Sequence, residues 1–206
     1  MINNTFLLDT ADFIGIVSFA LSGFYVATRD RLDLLGIFIA SFLTALGGGI
    51  IRDVIATREP FAFISFYPAT IVLVVLFVSI TFKFHKRDKI ENSKYLVLSD
   101  SIGLISFSIS GSLVGIHSDF NFFGVAILSV ITATGGGVMR DMLLNKIPFL
   151  LVSELYGTVA LLISLAIYTL NIFNCINIFS LTIVFILGLL LRLIAYNKKW
   201  HLPHLE

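Results

Sequence analysis

Two ten-residue stretches hold the groups able to do chemistry: Thr44-Ala45-Leu46-Gly47-Gly48-Gly49-Ile50-Ile51-Arg52-Asp53 and Thr132-Ala133-Thr134-Gly135-Gly136-Gly137-Val138-Met139-Arg140-Asp141. Each supplies a hydroxyl, three adjacent glycines, a guanidinium and a carboxylate. Carbonyl and hydroxyl oxygens can replace part of an ion's hydration shell, and charged side chains at a constriction tune which ions enter. The same types do not suit covalent chemistry, because no nucleophile, base and orienting acid stand at triad or metal-ligand spacing. A phosphate-binding glycine loop is the other reading of Gly-Gly-Gly-X-X-Arg-Asp. Against it, the triplets lie among apolar residues, with no preceding soluble strand and no Lys-Ser or Lys-Thr.

The two stretches belong to a longer duplication. Asp12 to Ile64 is written again without a gap as Asp100 to Val152, with about twenty identical positions. Among these are Asp12/Asp100, Gly15/Gly103, Ser18/Ser106, Phe19/Phe107, Ser22/Ser110, Gly23/Gly111, Gly36/Gly124 and Pro60/Pro148. Apolar composition alone would not align so many Gly, Ser, Thr, Asp and Arg residues.

The elements that must position these groups are membrane helices. At 57% hydrophobic residues, 13% charged residues and a mean hydropathy of +0.98, the chain is too apolar for a soluble globule. Long apolar stretches predict seven spans: 10–28, 33–57, 64–84, 96–116, 121–145, 153–172 and 176–196. Ten-residue alternation is absent, which argues against a barrel. The expected class is therefore all-α integral membrane, divided into a first three-helix repeat (1–84), a cytoplasmic linker (85–95), a second repeat (96–172), and a seventh helix with a tail (173–206). Met1 to Thr10 holds no Lys or Arg, so the first helix reads as an uncleaved anchor. Cys175 is the single cysteine and reads as filler, and the four histidines are scattered.

Threading seven spans gathers Arg29, Arg31, Lys83, Lys86, Arg87, Lys89, Lys94, Lys146, Arg192, Lys198 and Lys199 on one side and only Arg58 on the other. That places the N-terminus outside and the C-terminus in the cytoplasm. An odd number of helices per repeat makes the copies inverted, the arrangement that puts a transport site at the repeat interface. The apolar run Ile176 to Ile194 falls outside the repeats and reads as packing or oligomer contact.

Three glycines in succession weaken a helix by about 1 kcal/mol each relative to Ala, so a kink or break is expected in the second and fifth spans. Helices broken in this way are tolerated only inside protein or facing water. The expected ion path is therefore Thr44, Gly47, Gly48, Gly49, Thr132, Gly135, Gly136 and Gly137. Glycines also permit close helix approach, which is the preferred reading for Gly15, Gly23, Gly103 and Gly111 with Ser18, Ser22, Ser106 and Ser110. Charges within a span need partners or water. Asp12 is expected to pair with Arg52, and Asp100 with Arg140, one pair near each end of the path, with Asp53 and Asp141 beside them.

These motifs give the chain a resemblance to the bacterial branch of the trimeric intracellular cation channel family. It is carried by Asp12-X-X-Gly15, Phe19-Ala20-X-Ser22-Gly23, the stretch Thr44 to Asp53, and their second copy from Asp100 to Asp141. The resemblance implies seven helices per subunit, a homotrimer in a bacterial plasma membrane, and a pore in each subunit that passes K+ and less selectively Na+. It implies no cofactor and no nucleic-acid partner; membrane lipid is the expected surroundings. The same repeat has been labelled a glycine-transporter domain, so a carrier of glycine or a similar small amino acid is the second reading. A structural or partner-binding membrane protein is the third, and it leaves the mid-span arginines unexplained.

Overall fold

The computed structural model describes residues 4–84, 89–152 and 155–200. Its described residues form nine helices: α1 (Asn4–Arg29), α2 (Leu34–Ile55), α3 (Phe61–Ile64), α4 (Phe66–Thr81), α5 (Lys89–His117), α6 (Phe122–Leu143), α7 (Phe149–Val152), α8 (Tyr156–Ile172) and α9 (Ile178–Lys198). Local signals set their ends. Asp33 and Asn121, at equivalent repeat positions, cap α2 and α6 by accepting the backbone N–H of Gly36 and Gly124, satisfying donors that a helix start leaves open. The chain leaves α2 and α6 through left-handed Thr57 and Asn145, short of Pro60 and Pro148.

Five helices, α1, α2, α5, α6 and α9, are long and apolar enough to cross a membrane. The expected span 64–84 differs in form, because Ser65 interrupts it and caps α4 through the N–H of Tyr67. What remains in α4 is 16 residues, about 24 Å at 1.5 Å per residue and less than a hydrocarbon core. The expected span 153–172 likewise appears as the 17-residue α8. Much of the linker expected at 85–95 is helical, since α5 already begins at Lys89; residues 85–88 of it lie outside the described residues.

α1 packs along α5, and α2 packs across α6. Both pairs are antiparallel. A Cβ placed on Gly15 would meet the Phe107 ring and one on Gly103 the Phe19 ring; Gly47 faces Met139, whereas Gly135 faces Ile51. Phe19 and Phe107 meet edge-on, with centroids 5.3 Å apart, at the middle of the α1–α5 contact. α8 covers α5 and α6, and α9 rests on α5 and α8. Burial follows this order: 89% of the apolar window of α5 is buried, against 22% for α9. Ile183, Ile186, Leu190 and Ile194 of α9 face outward, as a lipid-facing helix requires.

The glycine triplets do not break their helices. α2 and α6 run as continuous α-helix through Gly47–Gly49 and Gly135–Gly137. The reason is packing: a Cβ at Gly48 would overlap the Thr132 carbonyl oxygen, and one at Gly136 the Thr44 carbonyl oxygen. The backbones of α2 and α6 touch where a side chain would hold them apart, and this contact compensates the poor helix propensity of glycine. Gly49 and Gly137 lie off that contact, with nothing nearer a Cβ than Arg52 Nη2 at 4.0 Å and Arg140 Nη2 at 3.8 Å. Gly48→Ala or Gly136→Ala is expected to cost about 1–3 kcal/mol through overpacking, whereas Gly49→Ala or Gly137→Ala gains up to about 1 kcal/mol of helix propensity. Thermal melting of the detergent-solubilised protein should therefore move in opposite directions for neighbouring glycines.

Candidate functional site: two charged clusters flanking a helix crossing

Because α2 and α6 cross antiparallel at their glycines, Arg52 and Arg140, each just beyond its triplet, stand on opposite sides of the crossing. In the first cluster Arg52 Nη1 donates to Asp12 Oδ1 at 2.7 Å, and Arg52 Nε donates to Asp53 Oδ1 at 2.9 Å. All three residues are buried. The pairing expected between Asp12 and Arg52 is thus present.

Its third partner comes from the other repeat. Ser110 on α5 donates its hydroxyl to Asp12 Oδ1 at 2.5 Å and accepts from Arg52 Nη1. The second cluster uses the equivalent parts with a different closure. Arg140 Nε donates to Asp141 Oδ1 at 2.8 Å, Arg140 Nη1 donates to Ser22 Oγ at 3.1 Å, and Ser22 donates to Asp100 Oδ1 at 3.1 Å. The expected contact of Asp100 with Arg140 is therefore bridged by Ser22, a residue of the first repeat. The longer bridge leaves Asp100 Oδ2 buried with no hydrogen-bond partner among the described residues.

Asp53 and Asp141 also hold the chain that follows their helices. Asp53 Oδ2 accepts the N–H of Phe61 at 3.1 Å, and Asp141 Oδ2 accepts that of Phe149 at 2.9 Å. One carboxylate thereby orients an arginine and anchors a loop.

Each cluster borders a cavity. Asp12, Gly49, Arg52, Asp53 and Phe107 help line one of about 20 Å³. Asp100, Arg140, Asp141, Lys146 and Phe149 help line another of about 110 Å³. The larger is bounded by the ion pair of Lys146 with Asp30, which ties the α6–α7 loop to the end of α1. Between the cavities lies the α2–α6 crossing. Thr44 and Thr132 are fully buried beside it, and their hydroxyls donate back to Ala40 and Leu128 carbonyls at 2.6 Å. Both hydroxyl protons are thus spent within their own helices.

Sequence reasoning assigned Ser22 and Ser110 to close packing and α9 to packing or oligomer contact. The signal for the serines was their identical register in both repeats. For Arg192 it was a single charge inside an apolar run, counted instead among the cytoplasmic basic residues; in the fold it is fully buried.

A family model described as "Glycine transporter" matches the chain twice, over residues 9–85 and 97–171. The UPF0126 membrane protein YvgT of Bacillus subtilis is 33% identical over 191 residues, 93% of each chain. Among solved structures, one determined for the structural basis of conductance through TRIC cation channels matches at TM-score 0.82 and 35% identity, over 96% of this chain and 97% of that one. A prokaryotic TRIC channel crystallised in 0.5 M KCl matches at TM-score 0.85 and 29% identity, over 96% and 100%. The chain belongs to the TRIC family. The TRIC trimeric intracellular cation channel orthologue from Rhodobacter sphaeroides also superposes, with TM-score 0.83 and 28% identity over 93% and 98% of the two chains. As a TRIC family member with long apolar helices the protein is a multi-pass membrane protein, and its two clusters lie within the part of the chain that both repeat matches cover.

Removing one partner of a buried charge pair strands the other. Asp12→Asn is expected to destabilise by about 3–5 kcal/mol, and Asp12→Asn combined with Arg52→Met by clearly less than the sum of the two single changes. Denaturation of the four proteins in detergent measures that coupling.

Proposed function

We propose that the protein is a passive channel for monovalent cations, K+ and less selectively Na+, acting as a homotrimer in a bacterial plasma membrane with one path per subunit. The observation that carries this reading is the neutralisation of both buried arginines, each in the last turn of its helix. An uncompensated guanidinium on each side of a constriction would repel cations, but Arg52 is held by Asp12 and Asp53, and Arg140 by Asp141 and, through Ser22, Asp100. The Asp12 cluster even counts two carboxylates for one guanidinium. The solved relatives support the reading, since all three are described as channels, two of them as cation channels and one of these as trimeric.

In this proposal α3 with α4 and α7 with α8 serve as the third and sixth spans of two inverted repeats, 1–84 and 96–172. Residues 85–95 link them, and 173–206 form the seventh helix and tail. The N-terminus lies outside, so the Asp12 cluster faces the exterior and the Asp100 cluster the cytoplasm, where the Lys- and Arg-rich connections gather. The path runs by Thr44, Gly47, Gly48, Gly49, Thr132, Gly135, Gly136 and Gly137, with Asp12, Arg52, Asp53, Asp100, Arg140 and Asp141 at its flanks. Sliding at the glycine contact opens it. It involves no covalent chemistry and needs no cofactor.

A second reading, a secondary carrier of glycine or another small amino acid, is favoured by the family model's description and by two cavities on opposite sides of a closed crossing. Alternating access uses such a layout. Planar-bilayer recording of the purified protein in asymmetric KCl distinguishes the two. The expected result is unitary currents reversing toward the K+ equilibrium potential, lost in Gly48→Leu or Gly136→Leu although the protein still inserts. A silent bilayer with saturable glycine uptake into liposomes would replace the channel by the carrier.

A further inference from the structure

The two charged clusters are built from the same residue types, yet they leave Asp12 and Asp100 in different states. Asp12 Oδ1 receives Arg52 Nη1 at 2.7 Å and the Ser110 hydroxyl at 2.5 Å. Asp100 Oδ1 receives the Ser22 hydroxyl at 3.1 Å, and that serine stands between it and Arg140 Nη1. Asp100 Oδ2 has no hydrogen-bond partner among the described residues, although the residue is only 3% exposed. A buried acceptor left in this condition bears the full cost of its lost hydration, so a ligand that brings positive charge to it is favoured. Room for one exists at the same end. Asp100 helps line the cavity of about 110 Å³, whereas the cavity beside Asp12 measures about 20 Å³. A single water needs about 10–15 Å³ of such space. The larger cavity therefore takes a cation with part of its water shell, and the smaller does not. Arg29, which is exposed, and Lys146, which is half-buried, mark where the larger cavity meets the surface.

The neighbouring groups narrow the choice of ligand. The Lys146 ammonium is held by Asp30, and the Arg140 guanidinium by Asp141. Both Asp141 oxygens are engaged, Oδ1 by Arg140 Nε and Oδ2 by the N–H of Phe149. A hard divalent ion asks for several carboxylate or carbonyl oxygens. Among the described residues, no group of three or more His, Cys, Asp or Glu side chains could hold one. An anion drawn by Arg140 and Lys146 would lie against the unpartnered carboxylate oxygen and be repelled by it. One available carboxylate oxygen with water around it suits a monovalent cation.

We propose that the larger cavity is a binding site for a monovalent alkali cation, which Asp100 Oδ2 holds while the ion keeps several of its water molecules. As a stop on the conduction path the site rests on the channel reading above; as a binding site it can be measured without any current. It also makes the two ends of the path unequal, because a cation pauses beside Asp100 and finds no comparable room beside Asp12.

Rubidium is the direct probe, since it replaces K+ and scatters X-rays anomalously. In crystals of the full chain equilibrated with RbCl, an anomalous peak beside Asp100 Oδ2 is expected, and none in Asp100→Asn. Water at that oxygen without a rubidium signal would overturn the proposal. A second readout is thermal melting in detergent, with KCl exchanged at constant ionic strength for N-methyl-D-glucamine chloride, whose cation is too large for the cavity. The wild-type melting temperature should rise with K+ by mass action. That rise should be lost in Asp100→Asn and kept in Asp33→Asn, which removes an exposed carboxylate yet leaves a side chain able to cap α2. An equal K+ response in wild type and Asp100→Asn refutes the site. So does a melting temperature that follows pH and ignores K+, the behaviour of a protonated Asp100. In bilayers at low KCl, Asp100→Asn should lower the unitary current by about twofold or more, with the loss shrinking at high KCl. Bound rubidium in a protein that passes no current would sink the channel reading and keep the site, whereas current without bound rubidium would do the reverse.

Discussion

A guanidinium in the middle of an apolar helix bundle is stable only where carboxylates meet it at hydrogen-bond distance, because the cost of dehydrating an unpaired charge exceeds what packing returns. Much of this fold can be understood as meeting that requirement twice. Arg52 draws Asp12 from α1 and Asp53 from its own helix, and Ser110 of α5 closes the set. Arg140 draws Asp141, and Ser22 of α1 carries its contact to Asp100. Each serine belongs to the repeat opposite the arginine it touches. Each cluster takes one hydroxyl partner from the other repeat, so the antiparallel docking of α1 on α5 is bound into the electrostatics as well as the packing.

The glycine triplets serve the same docking from the other side. Their absent side chains bring the backbones of α2 and α6 into contact at Gly48 and Gly136. The helices stay whole because in an apolar environment a freed amide or carbonyl finds no substitute partner. The crossing separates the two cavities. The close contact thus arises from the lack of a Cβ, while Gly49 adds bare backbone to the wall of the smaller cavity.

The two clusters differ where the repeats end. Asp12 is engaged directly by Arg52, whereas Asp100 meets its arginine only through a serine bridge. Duplication gave both copies the same polar residues, and the unduplicated helix packed against only one of them. A helix that looks inert by composition, with one charge in an apolar run, reaches the polar interior because that charge is too long and too costly to leave in lipid.

The chain itself discloses the duplication, the helical class and the charged positions, because a repeated register of Asp, Gly, Arg and Asp survives in one dimension. Asp12 with Arg52 was legible for the same reason: two opposite charges within spans, placed on one flank by helix connectivity, have few other ways to be paired. Several features were decided only by the tertiary structure. A lone sequence shows the period of a helix but not which face meets a neighbour, so Ser22 and Ser110 read as spacers until the antiparallel α1–α5 contact carried each to the other repeat's arginine. Propensity predicted broken helices at the triplets, whereas the α2–α6 contact, formed by residues far apart in the chain, keeps them continuous. Arg192 could be counted from the sequence, but its burial over Tyr156 depends on where α9 settles, and that is set by the surfaces of α5 and α8 rather than by any signal within α9.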